Sequence, residues 1–266
     1  MDTLQPVSDV YRKALIQWCM SSQLFTEQSL NEAITRIYTE ETAAAIELQA
    51  EVEQINGTLS VLSLQLRSAM DQRSGSRLWA LVNTNADKIS TGATPYTTTE
   101  LAMLKALVEA VFTSADGNYA IDLHTAIRLI SALGSATFGR RDAQDLIARM
   151  CADGWMEKTE SGFIVVGMRA LIELQSFFND GFGDYARFCS LCKEMATSGR
   201  VCNQCDDSVH PFCADQIMQS AGSLSCPKCH KPMSDALSFG PNEAGIPHSL
   251  VASTPQPDDN GVTEID

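Results

Sequence analysis

Cys189, Cys192, Cys202, Cys205, His210, Cys213, Cys226 and Cys229 fall within 41 residues of the sequence. They form four pairs, each with two residues between its members, and the pairs are separated by nine, four and twelve residues. Seven of the nine cysteines are used. A Cys-x2-Cys turn places two thiolates on one side of a tetrahedral Zn²⁺ at about 2.3 Å, and two such pairs close one site. Four pairs therefore provide for two zinc ions per chain. A hydrolytic zinc keeps one position open for water. No pair here is short of a ligand, so both ions are expected to be structural, with no catalytic residue among these side chains.

The surroundings support metal over disulfides. Residues Met1 to Asp9 carry two acids and no base, unlike the basic start and apolar stretch of a secretory signal, so a reducing compartment is expected. An odd number of cysteines in such a pattern reads as zinc. No apolar run of about 18 residues is present, so no membrane span is expected. The ligand segment, about 48 residues long, is too small to fold on an apolar core alone. Metal binding, on the order of 10–16 kcal/mol per structural zinc, supplies its folding energy.

The rest of the chain must position this segment. The sequence predicts an α+β protein of 266 residues with 44% hydrophobic residues. Residues 1–96 read as three helices and a hairpin, the order of a winged helix. Val10, Ala14, Leu15 and Trp18 keep helical spacing; Ser29-x-x-Glu32 is a capping box; a third helix covers Ala43 to Ile55 and stops at Gly57. Leu62, Leu64 and Leu66 then alternate with polar residues, and Leu78 to Val82 return after the turn Asp71 to Ser76. Residues 97–183 repeat the order as a second winged helix. Thr97-x-x-Glu100 and Asp122 cap two helices, Ala143 to Cys151 forms a third ended by Gly154, and Trp155–Lys158 pairs with Phe163–Val166. A closing helix, Met168 to Phe178, leads into the zinc segment, residues 184–236. Residues 237–266, rich in Pro, Gly, Ser and acids, are expected to be a disordered acidic tail. Cys19 and Cys151 sit at helical spacing among apolar residues and read as core.

The formal net charge is −14, and the stretch after Leu237 holds five acids and no Lys or Arg. Binding duplex DNA requires cations that displace counterions. Direct DNA binding by the isolated chain is therefore not expected, and protein partners are. The candidate recognition helix of the first unit, Glu41 to Gln54, has four acids and no base.

Four interleaved ligand pairs resemble RING and PHD fingers. Both folds pair the first with the third and the second with the fourth. The resemblance implies a cross-brace with Cys189, Cys192, His210 and Cys213 in one site and Cys202, Cys205, Cys226 and Cys229 in the other. The order of four Cys, one His and three Cys is found in PHD fingers and in variant RINGs. Leu224 stands where PHD fingers carry an aromatic. Leu191 before the second ligand, Pro227 after the seventh and Ile217 four residues past the sixth match the surface with which RINGs dock ubiquitin-conjugating enzymes. These three residues favour RING. Active RINGs often place Arg after the last ligand; here His230 and Lys231 follow, and neither offers the bidentate fork of Arg.

RLWALVNTNAD (Arg77 to Asp87), TELAMLKAL (Thr99 to Leu107) and FCSLCKEMATSGRVCNQCDDSVHPFC resemble the non-SMC element 1 family, the RING subunits of the SMC five/six chromosome-maintenance complex. The resemblance covers Val10 to about Met233. It implies an E3 ubiquitin transferase with partner-dependent activity, working with a MAGE-domain subunit and a kleisin-like subunit in DNA repair and recombination, in the nucleus on chromosomes. The alternative is a structural zinc and winged-helix scaffold in that complex with little ligase activity.

Overall fold

Three elements of sequence organise the fold: two helical stretches, each closed by a small antiparallel sheet, and the zinc segment packed against both. A computed structural model describes residues 5–72, 74–84, 95–115, 117–183 and 185–242. The expectations that fall on 85–94 and 243–266, including most of the acidic tail, lie outside these residues. No helix among the described residues is long and apolar enough to cross a membrane.

The first unit runs α1 (Gln5–Ser22), β1 (Leu24–Thr26), α2 (Glu27–Ile37), α3 (Glu40–Ala45), α4 (Leu48–Leu59), a 3-10 turn (Ser60–Leu62), β2 (Leu64–Met70) and β3 (Arg77–Asn83). The sheet order is β1-β3-β2, antiparallel, with Leu66 opposite Leu81 and Phe25 opposite Trp79. Leu15, Cys19, Leu30, Ile34, Ile55 and Trp79 meet in its core. Burial pushes the Cys19 thiol up to about 12, as an inert core cysteine requires.

Two expectations for this unit need correction. The α2 cap is Thr26, whose hydroxyl accepts from Ser29 N at 3.1 Å, so Ser29 lies inside the first turn. Strand β1 delivers Thr26 in extended conformation three residues earlier than the capping-box pattern implied. The third helix is broken at Ile46–Glu47 into α3 and α4, and it runs past Gly57. Thr39 caps α3 through Thr42 N, and the left-handed residue that closes the following turn is Ser63, φ 55°.

The second unit contains α5 (Thr98–Phe112), β4 (Ile121–Asp122), α6 (Leu123–Leu133), α7 (Arg140–Ala152), β5 (Met156–Lys158), β6 (Phe163–Val166), α8 (Met168–Glu173) and α9 (Gln175–Gly181), with sheet order β4-β6-β5. Thr97 and Glu100 form the expected capping box, and Asp122 accepts from Thr125 N. The closing helix is not continuous: it breaks at Leu174. The break lets the two halves serve different partners. Ile172 of α8 packs with Ala80 and Val82 on the back of the first sheet. Phe178 of α9 stacks on Phe112 at 4.8 Å within the second core. Arg169 ties the same joint, donating to Gln23 Oε1 at 2.7 Å and to the Asp153 carbonyl at 2.9 Å.

The zinc segment adds β7 (Gly199–Val201), β8 (Ser208–Val209), α10 (Pro211–Ala221) and β9 (Leu237–Phe239), in the order β8-β7-β9. Strand β9 corrects the expected tail: residues 237–239 pair with β7 instead of being disordered. Phe239 is buried against Tyr119, and Gly240 N donates to Asn118 Oδ1 at 3.2 Å. Gly240, at φ +117°, passes so close to Ser198 that a Cβ would lie 2.8 Å from its Cα. One buried aromatic holds a three-residue strand that average composition does not register.

Candidate metal centres

Three of the four ligand pairs are the same backbone device. In each, the first cysteine's N–H donates to the carbonyl five residues on: Cys189 to Glu194, Cys202 to Asp207, Cys226 to Lys231, at 2.8–2.9 Å. Its carbonyl accepts from the residue four on, Lys193, Asp206 or His230, at 2.8–2.9 Å. Those three residues are left-handed, with φ of 66°, 57° and 57°. The loop so closed turns both thiolates inward. The fourth pair uses a helix. His210 precedes Pro211 at the start of α10, and Cys213 follows in its first turn. Spacing of three along a helix brings side chains to one face.

The loops converge in the interleaved manner. Ligand atoms of Cys189, Cys192, His210 and Cys213 lie within 4.8 Å of one another, and so do those of Cys202, Cys205, Cys226 and Cys229. In the second set, Cys202 and Cys229 Sγ atoms are 3.6 Å apart, as are those of Cys205 and Cys226. Tetrahedral thiolates about 2.3 Å from a zinc ion sit about 3.8 Å from each other. In the first set, His210 Nδ1 is 3.3 Å from Cys192 Sγ and 3.9 Å from Cys213 Sγ. Its Nε2 is 3.1 Å from the Met195 carbonyl. That contact fixes Nε2 as the protonated nitrogen and leaves the Nδ1 lone pair for a metal. The residues thus fit two zinc ions, one held by three cysteines and a histidine, the other by four cysteines. Each site is closed, so the metal would supply folding energy and no reactive water.

Few apolar side chains assist: Val209, Ala214, Leu224 and Met233 are buried around the ligands. Leu224 is thus a core residue of this module. Leu191 is 42% exposed, beside Cys192 on the first loop. Pro227 is half-buried on the last loop. Ile217, on α10, is half-buried and packs partly against the zinc core. His230 is exposed and lies one residue beyond Cys229, which takes its place in the second set.

Sequence reasoning missed Asp207. Its Oδ2 accepts from Ser190 Oγ at 2.5 Å and its Oδ1 from Lys228 Nζ at 2.9 Å. Ser190 precedes Leu191 and Lys228 follows Pro227, so one carboxylate ties the loop of the first site to the loop of the second. Partial burial pushes this carboxyl upward, but Ser190 and Lys228 outweigh it and hold the pKa below the ordinary aspartate range. Lys228 is raised in turn by Asp207. The only signal in the sequence was a polar residue inside each of two ligand pairs.

Comparison with known proteins adds to this geometry. A family model described as the Nse1 non-SMC component of SMC5-6 complex matches residues 12–174, and a RING-like domain model matches residues 189–229. Proteins of rat and human named non-structural maintenance of chromosomes element 1 homolog are each 24% identical over 226 residues, 84% of this chain and 84% of theirs. A solved chain from an Nse1-Nse3-Nse4 complex shares the fold, with TM-score 0.70 and 20% identity, over 84% of this chain and 95% of that one.

Proposed function

The chain belongs to the Nse1 family, non-SMC components of the SMC5-6 complex, and from that premise we propose that it is the complex's RING-type E3 ubiquitin ligase subunit. It works with a MAGE-domain subunit and a kleisin subunit, in DNA repair and recombination on nuclear chromosomes. The solved relative in an Nse1-Nse3-Nse4 complex supports this choice of partners. Each helical unit, its helices closed by a three-stranded sheet, reads as a winged helix that docks protein; the acidic balance of the chain agrees.

The observation that carries the ligase reading is the exposed Leu191 on the first zinc loop, joined through Ser190, Asp207 and Lys228 to the loop of Pro227. Two closed zinc sites offer no nucleophile. Catalysis then consists of holding a charged conjugating enzyme so that its thioester meets the acceptor amine, a proximity effect. Leu191, Ile217 and Pro227 form the docking surface. His230 occupies the position after the last ligand and lacks the bidentate geometry of Arg, so activity depends on the MAGE partner. The test is a reconstituted ubiquitin-transfer assay over a panel of conjugating enzymes, with and without that partner. Transfer that rises on adding the partner is expected; none with any enzyme in the panel refutes the reading.

One observation favours a second reading, a structural clamp. The zinc module bonds to both units: Gln72 and Met70 of the first contact Met195 and Glu194, and Asn118 and Tyr119 of the second contact Gly240 and Tyr185. A clamp alone predicts that Cys205→Ser disrupts the complex while Leu191→Ala changes nothing.

A further inference from the structure

Gln72 is a buried polar side chain, 6% exposed, in the turn between β2 and β3 of the first unit. Its side-chain hydrogen bonds among the described residues run to the zinc segment. Oε1 accepts from Thr197 N at 3.0 Å, Ser198 N at 3.1 Å and Thr197 Oγ1 at 3.3 Å. Nε2 donates to the Met195 carbonyl at 3.1 Å. That carbonyl is also the acceptor for Nε2 of His210, the one imidazole among the eight ligands. A single oxygen therefore links the ligand ring of the first zinc site to a side chain more than a hundred residues away.

The end of β2 and the turn make two further contacts with the same site. Met70 N donates to Glu194 Oε2 at 3.1 Å, and Glu194 supplies the carbonyl that receives the N–H of Cys189. Gly75, at φ +68°, lies under the ring of Phe212, which stands between His210 and Cys213; a Cβ there would collide with the ring. The contacts of Glu194, Met195 and Phe212 reach the loop and helix of the first site, whereas Thr197 and Ser198 lie on the segment that leads on to β7; none of the contacts is made by Cys202, Cys205, Cys226 or Cys229 themselves.

We propose that Gln72 is a positioning residue for the first zinc site, and that metal binding there and docking of the β2–β3 turn form one linked equilibrium. Outer partners of a ligand histidine fix its tautomer and orientation, and their loss commonly weakens metal binding by about 10–100-fold; here that partner is the Met195 carbonyl, and Gln72 acts one step further out by holding it. Linkage makes the effect reciprocal: an occupied first site holds the turn, and a docked turn tightens the first site. The second site stands outside this coupling. The proposal rests on the two-zinc reading and is independent of ligase activity.

Two measurements on the full chain test it, with Co²⁺ as the probe, since a site of three thiolates and an imidazole differs in visible absorption from one of four thiolates. Gln72→Glu keeps an acceptor for Thr197 and Ser198 but sets an oxygen against the Met195 carbonyl. It should weaken Co²⁺ at the histidine-containing site by about tenfold, the lower end of the range for a histidine's own partner, and leave the all-cysteine site unchanged. Equal weakening at both sites, or none at the first, overturns the proposal. In the unsubstituted chain, metal is withdrawn stepwise with a chelator while amide exchange of the turn is followed. Protection should fall together with the signal of the histidine-containing site. Protection that outlasts the emptying of that site, or that follows the all-cysteine signal instead, overturns the proposal even if the variant does not fold.

Discussion

Asp207 joins two zinc loops through a single carboxylate. Ser190 and Lys228 both donate to it, and through them it links the loops of Leu191 and Pro227. Asp207→Ala should lower ubiquitin transfer while metal analysis still returns two zinc ions per chain; a loss of zinc instead would mean that the residue serves folding. His230 invites the opposite test. It is exposed and makes the position after the last ligand available to a better donor. His230→Arg should raise transfer in the absence of the MAGE partner, and unchanged partner dependence would contradict the role given to that position. At this scale the eight ligands were legible because tetrahedral geometry dictates the x2 spacing. Asp207 and Gln72 were not. Their partners lie 17 to 126 residues away, and nothing local marks them.

Among the elements, the caps of the second unit were read well, whereas the cap of α2 and helix continuity were not. Thr97, Glu100 and Asp122 act where the sequence placed them, because a cap is a contact over three residues. The breaks at Ile46–Glu47 and Leu174 answer to tertiary packing, such as Ile172 against the first sheet, which periodicity does not contain. Asp122 yields a pH test. Thr125 holds its carboxylate, through the side-chain and backbone hydrogen bonds, below the ordinary aspartate value. Its stabilisation is therefore complete above the ordinary value and is lost as pH falls through the depressed one. Asp122→Asn should flatten that part of the acid unfolding curve; an unaltered curve would remove Asp122 as a contributor. Two glycines make a second test. Gly57 sits in α4 with open space around it, so Gly57→Ala should stabilise by about 0.5–1 kcal/mol. Gly75→Ala places a methyl group in the Phe212 ring at positive φ and should destabilise by more than that. Denaturant midpoints of the two variants shifting in the same direction would contradict the packing described for the turn.

The whole molecule is an acidic chain in which the zinc module shares the core of the second unit, since Met195, Ala196 and Phe239 belong to that apolar cluster, while the first unit keeps its own core. Chelation of both metals should therefore be felt outside the zinc segment, as increased amide exchange around Tyr119 and α8. The mixed α and β class was legible in the sequence because helix caps are followed by changes of period. The intimate packing of the module was not, since it depends on single contacts such as Gln72. Everything proposed for ubiquitin transfer turns on a conjugating-enzyme surface built on Leu191. Single-turnover ubiquitin discharge by the full chain with its MAGE partner tests that surface, comparing Leu191→Ala with the unsubstituted protein at equal zinc content. Transfer should fall by about tenfold, the effect of truncating an anchor at an interface. Equal discharge by the two proteins would contradict the docking role of Leu191 and leave the zinc module as a clamp.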